Sequence, residues 1–339
     1  MSGSTSRPWW SAGNLEELTD HLITRFATPE DAEGICALFK KVFREDMSIE
    51  HWRWKYDREH SHAVVVFRGD VLVAHYGGVG IDICYKGADR TAIQITDLMV
   101  DPDARQGVRS RSPFNLAAQK FLESLVGFDK PFLLAFGFPS VRAMGLSEKM
   151  GYFATAGTMV EIEWCRPESC EKGFSKVVEL TSENFAAYAT SINRLWSKGK
   201  GQLDESIICR KDSAYFKWRY LEHPSKKYSL YLVPGLFRRS AKAIFVMRHD
   251  DNKSMLMDLL CTWPVFVKTL STAGNIALRQ GNTSVTTWCA DGFKMHFDVM
   301  GAKIRDLPIT IPACTWTEGP DIEEQKGRWW FMPGDTDYL

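Results

Sequence analysis

The sequence carries no net charge, because its 42 lysine and arginine residues are balanced by 42 aspartate and glutamate residues. We therefore expect no broad electrostatic attraction for nucleic acid or for an anionic membrane. The chain also lacks an apolar run long enough to span a bilayer. Its N-terminus, up to Trp10, lacks the apolar core of a signal peptide, and we expect a cytoplasmic protein.

Cysteine pairs at metal-ligand spacing are also missing. The eight cysteines are scattered along the chain without a CxxC pair, and several lie within apolar runs, as buried thiols do. Neither a disulfide framework nor a zinc site is expected, and no metal is predicted. A reducing compartment is therefore the default expectation.

A polar break at residues 166–173 is the best candidate for a domain boundary. At 339 residues the chain is long enough for two domains of ordinary size or for one large domain. The break predicts a polar N-terminal tail over residues 1–22, a first domain over 23–166 and a second domain over 174–339.

The stretch from Ala92 to Phe121 predicts a strand, a turn and a helix. The apolar run Ile93–Val100 is followed by a basic turn of small residues, Arg105–Ser112, and then by an amphipathic run that begins at Pro113. A loop that opens a helix presents unpaired backbone N–H groups, and a guanidinium pairs well with a diphosphate. The turn therefore suits a phosphate group; the alternative is an ordinary strand–helix connection with solvated arginines.

The order of elements repeats after the polar break, which predicts an internal duplication. Four features recur in the same order, between 150 and 164 positions apart, as differences in loop length would produce. The matched pairs are Thr28 with Thr181, Trp54 with Trp218, Asp97 with Asp258, and Met150 with Met300.

The order of elements in the first half resembles that of the GNAT acyl-CoA N-acyltransferases. Around the strand–turn–helix stretch lie a helix capped at Thr28, a hairpin from Ala63 to His75, a strand ending at Phe136 and a short helix ending before Gly151. The resemblance is good over residues 23–165 and weaker over 175–339. It implies an α+β, mixed α/β fold: two GNAT-like units, each with a mostly antiparallel mixed sheet, a central splayed strand pair and flanking helices.

Three aromatic segments extend the resemblance. They are Trp52–Tyr56, Trp218–Pro224 and Trp329–Asp337. They are similar to segments of uncharacterised superfamily members found with polysaccharide genes. This likeness is an analogy and implies no substrate.

The resemblance implies that the first unit binds acetyl-CoA or another acyl-CoA. The turn Arg105–Ser112 would hold the diphosphate, and the strand Asp97–Val100 would pair with the pantetheine arm. The family spaces its turn as R-x-x-G-x-G/A, whereas here the turn is one residue short and Arg109 takes the last small position. The implied cofactor-binding residues are Leu98, Met99, Val100, Arg105, Gln106, Gly107, Val108, Arg109, Ser110, Arg111, Ser112 and Phe136.

Acyl transfer needs a neutral amine, a stabilised oxyanion and a proton for the departing thiolate. Asp97 is a candidate base acting through water, or else a strand carboxylate paired with a neighbouring Arg or Lys. His75 is a second candidate base, or else a structural histidine. Ser140 is the third predicted catalytic residue; it begins the family pattern whose tyrosine acid falls here on Ser147.

The second half lacks the features of a phosphate turn. After its matching strand comes Thr262–Val265, with no glycine, no arginine and a proline that removes an N–H donor. We therefore expect the second unit to be degenerate, so that it walls the acceptor cleft or braces the first unit. The aromatic residues Trp52, Trp54 and Tyr56 line that cleft, or else anchor the first helices to the sheet.

Three hypotheses of function follow from the resemblance. The first is an acyl-CoA-dependent N-acyltransferase, using an acetyl group, with a small primary amine or an amino-sugar as acceptor. The second is a catalytically silent tandem module that binds a partner or acyl-CoA. The third is a peptidyl-transferase relative that uses aminoacyl-tRNA, although the neutral charge argues against a nucleic-acid partner. The sequence predicts no oligomeric state.

Overall fold

The computed structural model describes residues 22–105, 112–165, 173–203, 205–236, 240–250 and 253–336. Within these ranges the chain forms fourteen strands and eight α-helices, with 3-10 segments and one π-helical turn, Lys217–Leu221, between them. The strands are β1 (Leu22–Phe26), β2 (His62–Arg68), β3 (Val71–Tyr85), β4 (Ala88–Val100), β5 (Leu134–Phe136), β6 (Phe153–Cys165), β7 (Val178–Leu180), β8 (Ile207–Cys209), β9 (Ser229–Pro234), β10 (Ala241–Asp250), β11 (Lys253–Cys261), β12 (Ser284–Ala290), β13 (Lys303–Cys314) and β14 (Trp329–Trp330).

The helices flank two sheets built from these strands. They are α1 (Ala32–Phe43), α2 (Ile49–Tyr56), α3 (Pro113–Leu125), α4 (Val141–Lys149), α5 (Ala189–Lys200), α6 (Ser213–Phe216), α7 (Trp263–Arg279) and α8 (Ile322–Gln325). No helix in the described part of the chain is long and apolar enough to cross a membrane.

The first sheet has the strand order β1-β2-β3-β4-β5, with β8 and then β14 attached to the second half of β3. Its first four strands are antiparallel neighbours, and β4 pairs with β5 in parallel. The second sheet has the order β13-β6-β12-β11-β10-β9-β7 and is antiparallel except at β11–β12. These two mixed sheets with flanking helices confirm the predicted α+β, mixed α/β fold class.

Strand β6 joins the two halves of the chain. Its residues precede the polar break, yet it lies in the second sheet, between β12 and β13. A sequence pattern shows that a strand is apolar on one face, but not which strand lies beside it. The second sheet is therefore completed by a strand from before the predicted boundary.

Helices cover both faces of the first sheet because alternate residues of its strands point in opposite directions. Val64 packs in a cluster with Phe121 and Leu122 of α3, whereas Val65 packs with Ile35 of α1 on the other face. All five side chains are fully buried. Each such side chain stabilises the fold by roughly 1.5–3 kcal/mol relative to an exposed one.

A bulge in β4 shapes the first sheet near its centre. The register between β3 and β4 shifts between His75 and Gly77, and Asp97 has a φ of 53°. That left-handed conformation is costly for a residue with a Cβ, so neighbouring contacts must hold it. Gly77 is required at the shift, since a Cβ there would lie 2.2 Å from the Tyr56 hydroxyl oxygen.

Candidate active site

A cleft opens where β4 and β5 separate. The two strands pair at only three positions, from Ala92 with Leu134 to Gln94 with Phe136. A Cβ on Gly137 would lie 3.1 Å from the backbone oxygen of Ile95, so the strands are still close there. β4 then continues to Val100, and in the described part of the chain no strand pairs with its β5-facing edge beyond Gln94.

The cleft leads into a cavity of about 670 Å³, a volume typical of small-molecule sites. α1 contributes Phe39 and Phe43, β4 contributes the segment 95–98, and α3 contributes Phe114. α4 supplies Met144 and Ser147 on the opposite side. Most of the lining is apolar, so the cavity suits an extended molecule with few charges.

Asp97 lies at the edge of this cavity and is held in a tight polar cluster. Its carboxylate accepts hydrogen bonds from Lys55 Nζ at 2.9 Å and from the Tyr56 hydroxyl at 2.7 Å. Burial opposes ionisation of Asp97, but the charge and hydrogen bonds of Lys55 outweigh burial and lower the pKa of the carboxyl. Asp97 is therefore ionised at neutral pH and neutralised by a lysine from α2.

His75 lies behind β4 and is 1% exposed. Its Nδ1 is 2.7 Å from the backbone oxygen of Asp97, and a carbonyl only accepts, so Nδ1 carries the proton. Burial lowers the pKa of the imidazole, which is thus neutral, and its Nε2 has no partner among the described residues. His75 fixes the bulge at Asp97 and is not among the residues that line the cavity.

Two serines of the α4 region line the cavity. The Ser140 hydroxyl oxygen accepts a hydrogen bond from the backbone N–H of Ala143 at 3.3 Å, which caps α4. Ser147 occupies the position where the family pattern has a tyrosine. The cavity therefore brings Asp97 and Ser140 to one space, whereas His75 supports that space from behind.

The described cofactor-binding residues of β4 and β5 differ in orientation. Leu98 lines the cavity, whereas Met99 is 1% exposed and packs with Ile35 on the other side of the sheet. Val100, the last residue of β4, is half-buried. The Phe136 ring is fully buried and stacks on Phe331, with centroids 5.2 Å apart, so only its backbone is placed at the cleft.

The turn that leads into α3 is described only at its ends. Arg105 is exposed after a 3-10 turn, and the Ser112 hydroxyl oxygen accepts a hydrogen bond from the Asn115 N–H at 3.4 Å. Pro113 takes the first helical position of α3. Gln106, Gly107, Val108, Arg109, Ser110 and Arg111 lie outside the described residues.

The second half holds a related polar cluster that is sealed from solvent. Asp258 is 0% exposed and accepts hydrogen bonds from the Tyr220 hydroxyl at 2.7 Å and from Lys211 Nζ at 3.0 Å. Lys211 also pairs with the buried Asp335. Burial opposes the charge on Lys211, but Asp258 and Asp335 outweigh it and raise the pKa of the ammonium.

The two clusters meet at a pair of tryptophans. Trp54 Nε1 donates to the backbone oxygen of Trp218 at 3.0 Å, and Trp218 Nε1 donates to that of Trp54 at 3.2 Å. Their rings stack with centroids 5.0 Å apart. The contact is reciprocal, because each indole N–H donates to the backbone oxygen of the other tryptophan.

The sequence did not identify the residue that pairs with Asp97. Lys55 lies 42 positions away, and no spacing rule relates a helix lysine to a strand aspartate over that distance. Glu45, which also lines the cavity, follows α1 and carries no motif. Among the described residues, no group of three or more His, Cys, Asp or Glu side chains is placed to hold a metal ion.

Comparison with known proteins finds a family match for the first half of the chain. Residues 24–152 match the family model of the acetyltransferase (GNAT) domain. This range contains the whole of β4, β5 and α4, and therefore most of the cavity lining. No curated protein matches the sequence.

Three solved structures share the fold over most of the chain. A probable N-acyltransferase from Enterococcus faecalis V583 is 13% identical, with a TM-score of 0.69 over 87% of this chain and 73% of its own. A GCN5-related N-acetyltransferase from Kribbella flavida is 14% identical, with a TM-score of 0.63 over 87% and 71%. Saccharomyces cerevisiae N-myristoyltransferase with bound myristoyl-CoA and inhibitors is 10% identical, with a TM-score of 0.51 over 96% and 88%. At these identities the likeness establishes the fold.

Proposed function

We propose that this chain, which contains a GNAT acetyltransferase domain, transfers an acyl group from acyl-CoA to the primary amine of a small molecule. The observation that carries the proposal is the cavity of about 670 Å³ at the point where β4 and β5 separate. It lies within the matched domain and leaves one edge of β4 open to a ligand. Acetyl is the proposed acyl group, and a small amine or an amino-sugar is the acceptor.

The open edge of β4 suits the pantetheine arm of CoA. Backbone N–H and C=O groups beyond Gln94 can pair with the two amides of an extended ligand, as an added strand would. Leu98 offers a side chain to the arm, whereas Met99 and Phe136 contribute their backbones. Arg105, Ser112 and the residues between them hold the diphosphate in this proposal, beside the N-terminus of α3.

In the acyl transfer the amine nitrogen attacks the thioester carbonyl carbon. The C–S bond then breaks, and the departing thiolate is protonated. Asp97 accepts the proton of the amine through water in this proposal. Because Lys55 lowers the pKa of Asp97, this carboxylate is a weak base. Ser140 is the proposed hydroxyl donor near the thiolate, and His75 is a positioning residue that holds the bulge.

The second candidate function is that of a catalytically silent module that binds a partner or acyl-CoA. It is favoured by the ion pair of Asp97 with Lys55 and by Ser147 at the tyrosine position of the family pattern. Both features weaken acid–base catalysis without closing the cavity. An association with polysaccharide genes and a cytoplasmic location stay predictions.

We also propose that the chain is a duplicated GNAT-like protein, with units over 23–166 and 174–339, in which the first unit contributes β6 to the sheet of the second. The support is the reciprocal contact of Trp54 with Trp218. It is strengthened by the shared tyrosine–aspartate pairs, Tyr56 with Asp97 and Tyr220 with Asp258, each at 2.7 Å. The second unit braces the first in this proposal and binds no acyl-CoA.

Calorimetric titration with acetyl-CoA, longer acyl-CoAs and free CoA tests the proposed function. We expect one acyl-CoA per chain. Arg109→Glu should abolish the binding, because it reverses a charge at the proposed diphosphate. Arg90→Glu is the matched control, since Arg90 is exposed at the opposite end of β4 and should bind normally. The absence of heat with every CoA ligand would rule out the acyltransferase, and normal binding by Arg109→Glu would mean that the diphosphate lies elsewhere.

A further inference from the structure

Three large apolar side chains of the cavity lining are left exposed by the fold. Phe43, Leu98 and Leu146 are 42%, 39% and 43% exposed, and all three line the cavity. Phe39 lies one helical turn before Phe43, and their rings are 4.7 Å apart between centroids. Large apolar side chains grouped around a concave surface mark a place that a ligand covers.

The same lining carries one carboxylate that the protein does not neutralise. Glu45 and Asp97 are the charged residues of the described lining, and Asp97 is paired with Lys55 at 2.9 Å. Glu45 has no ion pair or hydrogen bond among the residues that the structure describes. Within those residues the lining contains no lysine, arginine or histidine. The lining therefore combines a solvent-exposed carboxylate that has no ion pair with apolar side chains.

The lysines near the end of α1 do not supply the missing cation. Lys40 pairs with Asp46 at 2.8 Å, and Lys41 pairs with Asp101 at 2.7 Å. Both lysines therefore have carboxylate partners other than Glu45. Arg44, the residue before Glu45, forms no ion pair with it in the described part of the chain, so a cation bonded to Glu45 would come from a ligand or from solvent.

We propose that the cavity binds the acceptor, at Glu45, as a primary ammonium attached to an aromatic or branched alkyl body. The Glu45 carboxylate pairs with the ammonium, and Phe39, Phe43 and Leu98 cover the apolar body. An aromatic ring also attracts a cation placed over its face, so the two kinds of contact support each other. The acyl transfer to this acceptor rests on the proposed function, but the binding of the ammonium does not.

This assignment narrows the acceptor from an amine or amino-sugar to an apolar amine. A sugar hydroxyl needs a hydrogen-bond partner when it leaves water, and the side chains of Phe39, Phe43 and Leu98 offer none. An apolar body instead gains from covering side chains that are otherwise exposed. Glu45 then selects the amine over an alcohol of the same shape.

Three probes that differ in one property each test the proposal. 2-Phenylethylamine carries an ammonium at neutral pH on an aromatic body, 2-phenylethanol has the same body without charge, and glucosamine has the ammonium on a polar body. Each is titrated calorimetrically into the full chain, alone and in the presence of saturating CoA. We expect 2-phenylethylamine to bind at least about tenfold more tightly than either of the others, equivalent to one charge-assisted contact.

Substitutions at Glu45 and Phe43 locate the binding. Glu45→Gln keeps the shape and removes the charge, so it should weaken 2-phenylethylamine about tenfold and leave 2-phenylethanol unchanged. Phe43→Ala should weaken both aromatic probes. Glu33→Gln is the matched control, because Glu33 is exposed in the first turn of α1 and outside the cavity lining. Thermal unfolding checks that each variant is folded.

The outcomes separate this inference from the proposed function. Tight binding of 2-phenylethylamine with no binding of any acyl-CoA would leave the ammonium site standing and remove the acyltransferase. Binding of acyl-CoA, together with equal affinity for the three probes, would support the acyltransferase and overturn the ammonium site. Preference for glucosamine, or an effect of Glu45→Gln no larger than that of Glu33→Gln, would also overturn the assignment of the acceptor.

Discussion

The two sheets differ in what occupies the space where a parallel strand pair separates. β11 and β12 pair only at Ser254 with Val285 and at Met255 with Thr286, much as β4 and β5 pair at three positions. Beyond the pairing, the first sheet leaves a cavity of about 670 Å³, whereas the pocket beside the end of β11 has about 30 Å³. The same strand geometry therefore accompanies an open site in one half and a filled one in the other.

The second half is filled by aromatic residues of the chain's own C-terminal region. Trp330 packs on Trp263 of α7 and on Phe293, with ring centroids 5.8 and 5.1 Å apart. The 3-10 turn Pro333–Asp335 that follows contacts both β11 and β12. A strand separation is thus not enough to make a binding site, because local side chains decide whether it stays open.

The first prediction concerns an aromatic side chain that fills the second half, and its expected effect is large. Trp330→Ala removes a side chain that is 5% exposed and should lower the free energy of unfolding by about 3–5 kcal/mol, because the neighbours cannot fully close the gap. Urea unfolding measures the loss. Acyl-CoA should still bind at one equivalent per chain, since Pro264 removes an N–H donor from the first turn of α7.

A second equivalent of acyl-CoA in Trp330→Ala would contradict the comparison. It would show that Trp330 alone keeps the second half from binding, and that the turn after β11 is not the reason. A loss below about 1 kcal/mol would show that the site collapses around the truncated side chain.

The outline of this comparison was accessible from the sequence. The order of elements, through its resemblance to the GNAT acyltransferases, predicted the fold class, and the glycine-containing turn placed the expected ligand site in the first half. The partners across the sheets were not accessible, because β6 has the same alternation whether it lies beside β5 or beside β12. The direction of Phe136, which packs in the core with Phe331, was also not accessible, because the sequence does not show which face of β5 the C-terminal aromatic residues cover.

Two of the three predicted catalytic residues, Asp97 and Ser140, line the cavity, but their interactions were not predicted. The position of Asp97 followed from its strand. A lysine or arginine partner was considered, but Lys55 was not identified, since it lies on a helix far earlier in the chain. Glu45 had no signal, because a carboxylate after a helix is ordinarily solvated. The proposed role of Glu45 depends on the apolar cavity that it lines, and no local sequence pattern predicts that cavity.

The two aspartate clusters provide the second prediction. Lys211→Met should cost about 3–5 kcal/mol of unfolding free energy, because it leaves Asp258 and Asp335 buried without their cation. Lys55→Met should cost less, since Asp97 borders a cavity that water can enter. Urea unfolding of both variants at pH 7 gives the comparison. Equal losses would mean that the two clusters are equally sealed.

The smallest expected effect concerns two histidines beside the reciprocal tryptophans. Burial lowers the pKa of His51 to about 4, with help from cations that include Lys55 and Arg219 and against an opposing contribution from Asp97. Burial and nearby cations lower the pKa of His223 to about 3. The unfolded chain takes up both protons below about pH 6.5, whereas the folded chain does not, so unfolding becomes easier as the pH falls from 6.5 towards 4. Urea unfolding between pH 7 and 5 should show this slope, and His51→Gln/His223→Gln should reduce it. An unchanged slope would mean that these rings take up protons in the fold and that the tryptophan contact tolerates their charge.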